Sequence, residues 1–158
     1  MPTIYEAIKT DHDKHRKLLE EIADTSGDSE ARRIAWEEFY YDVKPHAAAE
    51  EETFYSKLMA KEDGQDHARH SVAEHKQLDD IMEELDKMDM SSSGWLTRFK
   101  TLKHDYEHHM EEEENDIFPV AKEVLHDDED GSIASKFETR KQRERELVDR
   151  KAKGSLEE

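Results

Sequence analysis

Cysteine is absent from this 158-residue chain, and glycine and proline are scarce, at 5 and 3 residues. Without cysteine there is no disulfide, iron–sulfur or zinc-thiolate site, so a metal ion would need histidine and carboxylate ligands. Runs of β-branched residues are also lacking, which favours long helices over strands. No apolar run approaches the roughly 18 residues of a membrane span, and no signal-peptide pattern is present. These absences predict a cytoplasmic protein with no membrane partner.

Acidic residues dominate the composition: 42 Asp and Glu against 24 Lys and Arg give a formal net charge of −18. Such a charge repels nucleic acid and favours cations, although it also serves plain solubility. Only 34% of the residues are hydrophobic and 42% are charged, a balance that suits disorder unless the apolar residues are regularly spaced. The spacing of the apolar residues therefore indicates whether this chain is folded or disordered.

The apolar residues recur at steps of three and four, which is typical of one buried helix face. Thr3 and Glu6 form a capping box that starts the first helix. Pro45 is expected to kink the second helix or to start a fresh segment. The predicted helices run from residue 3 to a break at 25–29, and then over about 29–61, 65–90 and 95–126.

The C-terminal segment is predicted separately. The acidic run 127–131 should end the fourth helix, and an appended basic helix should follow from Ser132 to about Lys153. Its positive charge suits either an acidic partner or the acidic bundle itself. Three apolar residues could dock it: Ile133, Phe137 and Leu147. We therefore divide the chain into a helical domain, 1–126, and a C-terminal segment, 127–158.

An internal repeat with an offset of 63 residues relates the two halves of the helical domain. His46 and Glu50, one helical turn apart, recur as His109 and Glu113, and His12 recurs as His75. Two helical hairpins related by a pseudo-twofold axis predict an all-α, antiparallel up-down four-helix bundle, with the C-terminal segment as an extra helix.

Six polar residues of the repeat fall on apolar helix faces. Each alone would be read as a hydrogen-bonded core histidine or a solvated glutamate. Burying a carboxylate costs several kcal/mol unless it is paired or coordinated, so the whole set indicates a metal centre. Imidazole and carboxylate suit iron, zinc or copper, and carboxylates can bridge two ions. The candidate ligands are His12, His46, Glu50, His75, His109 and Glu113.

The same motifs resemble the haemerythrin-like (HHE cation-binding) domain over about residues 4–125. They are Asp11-His12, His46-x-x-x-Glu50 before Phe54-Tyr55, Glu74-His75, and His108-His109-Met110-Glu111-Glu112-Glu113 before Phe118-Pro119. The resemblance implies two non-haem iron ions, joined by carboxylates and an oxo or hydroxo bridge. It also implies dioxygen or a related small oxidant as the ligand. By the same resemblance, one iron would be bound by His12 and His46, the other by His75 and His109, with Glu50 and Glu113 bridging.

The sequence departs from the oxygen-carrying haemerythrins at two ligand positions. Ser71 stands where those proteins have a second histidine on the third helix, and the second bridging acid is Glu113 instead of an aspartate one residue later. The first departure removes a ligand and favours reactivity with oxygen species, or iron handling, over reversible oxygen carriage. An extra ligand or hydrogen-bonding partner could come from His15, His70 or Tyr106.

The sequence thus predicts a di-iron protein that binds or reacts with dioxygen, peroxide or nitric oxide, in oxidative stress or in oxygen or iron handling. Whether it is an enzyme stays open, and other divalent metals also suit the ligands. One alternative is an iron-dependent sensing module read by a protein partner, for which the basic C-terminal segment is the hint. Another is a purely structural acidic bundle.

Overall fold

A computed structural model describes residues 2–125 and 127–157, with side chains described over 2–125 and 131–147; His126 lies outside these ranges. Five helices make up the fold over the described residues. Helix α1 is Ile4–Ala23, α3 is Gln65–Lys87 and α5 is Asp127–Glu157. Helix α2 is Glu30–Glu50, continued by a π-helical turn, Glu51–Tyr55, and a short α-helical stretch, Ser56–Met59. Helix α4 is Ser93–Glu112, continued by a π-helical turn, Glu113–Ile117, and by Phe118–Val124.

Side-chain caps start the first two helices. The Thr3 hydroxyl accepts from the Glu6 backbone N–H at 3.1 Å, and the Glu6 carboxylate accepts from the Thr3 backbone N–H. The predicted capping box is therefore confirmed. The Ser29 hydroxyl accepts from the Arg32 backbone N–H at 3.2 Å and caps α2 in the same way.

Two predicted boundaries were wrong, and one of the two alternatives predicted at Pro45 is excluded. Helix α2 runs on through Pro45, so no fresh segment starts there. Helix α3 ends at Lys87 and not at Met90. Residues 127–131 are the first turn of α5 and not a break, which agrees with the preference for acidic residues at a helix N-terminus. The chain turns at the extended residue Leu125, with φ −99° and ψ 137°.

The π-helical turns follow from a spacing of four between buried residues on α2 and α4. An α-helix has about 3.6 residues per turn, so each step of four would rotate the next side chain by about 40° away from the core. A wider π-helical turn takes up this rotation. The residues so aligned are His46, Glu50, Phe54 and Leu58 on α2, and His109, Glu113, Ile117 and Ala121 on α4.

The bundle interior has three layers along its axis. One apolar cluster, including Trp36, Phe39 and Phe99, fills one end, and a second, including Phe54 and Ile117, fills the other. Between them lies a layer of buried polar side chains from α1 to α4. The apolar ends thus stabilise the fold and hold the polar layer away from bulk water.

Helix α5 packs across α1 and α2. Ile133 and Phe137 are buried, as predicted, whereas Leu147 is 43% exposed and does not dock. Lys141 pairs with Asp11, and Arg145 pairs with Asp42. These basic side chains thus face the acidic bundle, the second of the two predicted roles. None of the helices within the described residues is long and apolar enough to span a membrane.

Candidate metal centre

The fold brings all six candidate ligands into the polar layer. Each is buried, with 9% or less of its surface exposed. Their ligand atoms form two groups, within each of which all atoms lie within 4.8 Å of one another. Glu50 belongs to both groups, so it lies between two places where a cation could bind. The groups are His12, His46 and Glu50, and Glu50, His75, His109 and Glu113.

The two glutamates at the centre lack ordinary hydrogen-bond partners. Among the described residues, no donor is aligned for a hydrogen bond to either carboxylate oxygen of Glu50 or to Oε1 of Glu113. Histidine nitrogens still approach them: Nε2 of His46 lies 2.6 Å from Oε2 of Glu50, and Nε2 of His12 lies 3.1 Å from Oε1 of Glu113. Ligand atoms that converge on a shared cation approach one another in this way without hydrogen-bond alignment.

The electrostatics of Glu50 also favour a bound cation. Burial, and then the neighbouring charge of Glu113, raise the pKa of Glu50 well above its usual value. Two facing carboxylates that are buried away from bulk water are costly unless a positive charge compensates for them. The histidine and carboxylate donors therefore fit divalent or trivalent metal ions.

Each of the four candidate histidines is oriented by its other ring nitrogen. Every Nδ1–H donates to a carboxylate, and this leaves Nε2 directed at the centre. Such carboxylate–histidine pairs are the usual support of a metal-binding imidazole. The pairs are His12 with Glu114 at 2.8 Å, His46 with Asp11 at 2.8 Å, His75 with Glu51 at 3.0 Å and His109 with Glu74 at 2.9 Å.

These orienting carboxylates also follow the 63-residue repeat. Asp11 corresponds to Glu74, and Glu51 to Glu114. Glu51 reaches across to the histidine of the other hairpin, and Glu114 does the same in return. The sequence prediction included none of the four as functional residues. The repeat offset was the available signal, because each of the four acids stands next to a candidate ligand in the sequence and recurs at that offset.

His75 and His109 face each other at the centre, with their Nε2 atoms 3.1 Å apart. Burial would lower the pKa of His109, but hydrogen bonds with Glu113 and Glu74 raise it to about 10. The pKa of His75 is lowered, mainly by burial. In the metal-free chain at pH 7, His109 is therefore protonated and its Nε2–H donates to the neutral His75. That proton occupies a position that suits a metal ion.

Metal uptake should consequently release protons. At pH 7 a metal ion that binds Nε2 of His109 has to displace a proton, so we expect about one proton per chain from this residue. Because the pKa of His109 is about 10, the displacement applies at any lower pH, and affinity should rise with pH. Titration calorimetry of the metal-free chain with Zn²⁺, in buffers of different ionisation enthalpy, measures the release. A chain already loaded with metal is the control, and a buffer-independent enthalpy would contradict the expectation.

The further histidine candidates do not belong to either of these two ligand groups. Burial lowers the pKa of His15 to about 4, so its ring is neutral. Its Nε2–H donates to Asp42 at 2.6 Å, and its Nδ1 accepts from the Tyr106 hydroxyl at 2.8 Å. Both nitrogens are thus engaged in hydrogen bonds. The side chain of His70 is 54% exposed and lies on the outer face of α3 and α4.

The two halves of the centre differ in polarity. The Tyr55 hydroxyl donates to Glu113, and Ser71 is fully buried beside His75 on α3, with no aligned partner for its hydroxyl among the described residues. The positions that correspond to Tyr55 and Ser71 in the repeat are Phe118 and Ile8. These two hydroxyl groups therefore have no counterpart in the other half of the repeat.

A cavity of about 460 Å³ lies between α2 and α3, beside the centre. Its walls include apolar residues such as Val43, Val72 and Met82, and it reaches His46 and His75. Dioxygen, peroxide and nitric oxide are all much smaller than this volume. The cavity therefore has room for a molecule of this size beside His46, His75 and His109.

Comparisons with known proteins agree on one type of domain. The pattern of the haemerythrin HHE cation-binding domain matches residues 3–121. An uncharacterised haemerythrin-like protein of Schizosaccharomyces pombe is 26% identical over 144 residues, which cover 89% of this chain and 70% of that protein. The crystal structure of a haemerythrin HHE cation-binding domain-containing protein from Mycobacterium kansasii aligns with a TM-score of 0.86 and 26% identity. The alignment covers 97% of this chain and 93% of that one.

Proposed function

This chain belongs to the haemerythrin HHE cation-binding family, and we propose that it is a di-iron protein that binds or reacts with dioxygen, peroxide or nitric oxide. The observation that carries the proposal is the Glu50 carboxylate, which is fully buried, shared by both ligand groups, and without an aligned donor among the described side chains. A cytoplasmic location, as predicted from the sequence, is part of the proposal.

The six candidate ligands can be assigned to two ions. His12 and His46 would hold one iron and His75 and His109 the other. Glu50 and Glu113 would bridge the two. Bound iron would supply Lewis-acid and redox chemistry towards small oxidants. The ligand set is rich in histidine, which suits iron but does not by itself exclude zinc or manganese.

The protein's own contribution is to orient and shield this centre. The carboxylates paired with Nδ1 fix each imidazole and raise its basicity as a ligand. The Tyr55 hydroxyl donates to Glu113 and holds one oxygen of that carboxylate in place. The apolar clusters above and below exclude bulk water, whereas the cavity beside α2 and α3 admits small molecules.

The proposal is tested by metal content and oxidant reactivity together. We expect about two iron ions per chain after aerobic purification, with near-ultraviolet oxo-to-iron charge-transfer bands. The reduced iron-loaded chain should consume dioxygen or peroxide, or bind nitric oxide. The zinc-loaded chain is the matched control, since zinc fills the same ligands but has no redox chemistry. A chain that takes up no iron, even under anaerobic loading, would contradict the proposal.

The sensing alternative rests on the basic α5 as a surface for a partner. Three of its basic side chains are engaged with acidic residues of the bundle: Arg140 with Glu52, Lys141 with Asp11 and Arg145 with Asp42. This pairing reduces the positive charge that α5 could offer to an acidic partner. We therefore favour the di-iron function.

A further inference from the structure

A second group of metal-ligating side chains lies outside the buried centre, on the outer face of α3 and α4. Nε2 of His70 is 2.7 Å from Oε1 of Glu112 and 3.5 Å from Oε2 of Glu74. Their ligand atoms all lie within 4.8 Å of one another. Nε2 of His108 is 3.3 Å from the other oxygen of Glu112. One imidazole and two carboxylates therefore converge on one surface position, and a second imidazole, that of His108, lies beside Glu112.

Glu74 joins this outer group to the buried centre. Its Oε1 accepts the Nδ1–H of His109 at 2.9 Å, while its Oε2 faces His70. One carboxylate thus separates the surface position from a candidate ligand of the buried ions. Exposure decreases along the same line: the side chain of His70 is 54% exposed, that of Glu74 is 18% exposed and that of His109 is 3% exposed.

The repeat shows what is unusual about this surface. Asp11, the counterpart of Glu74, holds His46 in the same way through Oδ2, and both of its oxygens accept from Nζ of Lys141, Oδ1 at 3.1 Å and Oδ2 at 3.0 Å. The chain therefore supplies a fixed cation there. In the described part of the chain no lysine or arginine pairs with Glu74, because α5 covers α1 and α2 instead. The counterparts of His70 and Glu112 are Ala7 and Ala49.

We infer that His70, Glu74 and Glu112, with His108 beside them, form a third, solvent-accessible site for a divalent transition-metal ion. This ion takes the place that the Lys141 ammonium has on the other hairpin. The site takes up ions on their way to the buried centre. That loading role rests on the proposed function, whereas binding at the surface group does not. Imidazole and carboxylate suit Fe²⁺, Mn²⁺, Co²⁺ and Zn²⁺, and the net charge of −18 attracts all of them.

The test compares two double variants of the full chain. H70N/H108N removes both imidazoles of the outer group and leaves Glu74 in place. H67N/H104N removes one other histidine from each of the same two helices and is the matched control. Circular dichroism checks that both variants fold.

The first measurement is a Co²⁺ titration of chain whose buried centre is already loaded. We expect one additional equivalent in the wild type and in H67N/H104N, weakened at least about tenfold in H70N/H108N. Equal binding by both variants would overturn the surface site. If the buried centre takes up no metal, the same titration of the metal-free chain still tests the surface site, and the loading role is overturned.

The second measurement is the rate of Fe²⁺ uptake by metal-free chain at low ionic strength. Loss of the surface group should slow uptake about tenfold or more, with the same final iron content, because a charged surface site raises the local ion concentration. An unchanged rate in H70N/H108N would overturn the loading role. Equal slowing in H67N/H104N would overturn it as well, since general loss of histidine would then be the cause.

Discussion

Replacing Glu50 with glutamine is expected to lower metal affinity by more than about 100-fold. That loss exceeds the 10–100-fold effect typical of removing a partner that only orients a ligand, because Glu50 is shared by both ligand groups. Glutamine has nearly the same shape, so E50Q should fold. In the metal-free state it should be at least as stable as the wild type, since a buried carboxylate has been removed.

Unfolding in urea with and without metal measures the effect of E50Q. At a free metal concentration 100 times the wild-type Kd, binding stabilises the folded state by about 2.7 kcal/mol, and hundredfold weaker binding leaves about 0.4 kcal/mol. E52Q is the control, because Glu52 lies two residues away, is exposed and, among the described side chains, forms its ion pair with Arg140 on the surface. If E50Q retained two metal ions with wild-type affinity, Glu50 would not be a ligand.

Replacing Phe137 with alanine is expected to destabilise the fold by about 3–5 kcal/mol. Phe137 is fully buried in an apolar cluster with residues of α1 to α4, although it comes from α5. This loss would be a large part of the 5–15 kcal/mol that typically stabilises a domain. Its ring also packs edge-on against the ring of His46, with 5.5 Å between centroids. F137A should therefore also release metal faster, because water gains access to that histidine.

Chemical denaturation gives the free energy of unfolding of F137A, and transfer of iron to a chelator gives its rate of metal loss. The control is L147A on the same helix, where the side chain is 43% exposed and a change within about 0.5 kcal/mol is expected. A loss below about 1 kcal/mol for F137A would mean that α5 is only appended to the bundle. Such a small loss would also mean that α5 is held by its ion pairs with acidic residues of the bundle more than by the burial of Phe137.

The sequence alone was sufficient for the helical class and for the set of candidate ligands. Buried side chains at steps of three and four define each helix face, and the 63-residue offset carries His46 and Glu50 onto His109 and Glu113. The spacing is a local feature and the offset is a repeat within the sequence, so both can be recognised without knowing how the helices pack. Whether the six residues bind metal stays a prediction.

The tertiary structure decided how the acidic residues are used. In sequence, Glu51 and Glu52 both look solvated, yet Glu51 orients His75 while Glu52 pairs with Arg140 on the surface. The difference depends on the axial rotation and stagger of neighbouring helices, which helix propensity does not specify. The π-helical turns were not predicted, although the steps of four from which they follow are present in the sequence.

The position of α5 was also decided only by packing. Its composition showed a basic helix with a few apolar residues, which could have covered either hairpin. Phe137 fits beside His46, and Lys141 reaches Asp11, so α5 covers α1 and α2 and leaves α3 and α4 exposed. A pseudo-symmetric bundle offers two similar faces, and a single helix can cover only one. Which face is covered depends on shape and charge complementarity, and this complementarity exists only once the bundle has formed.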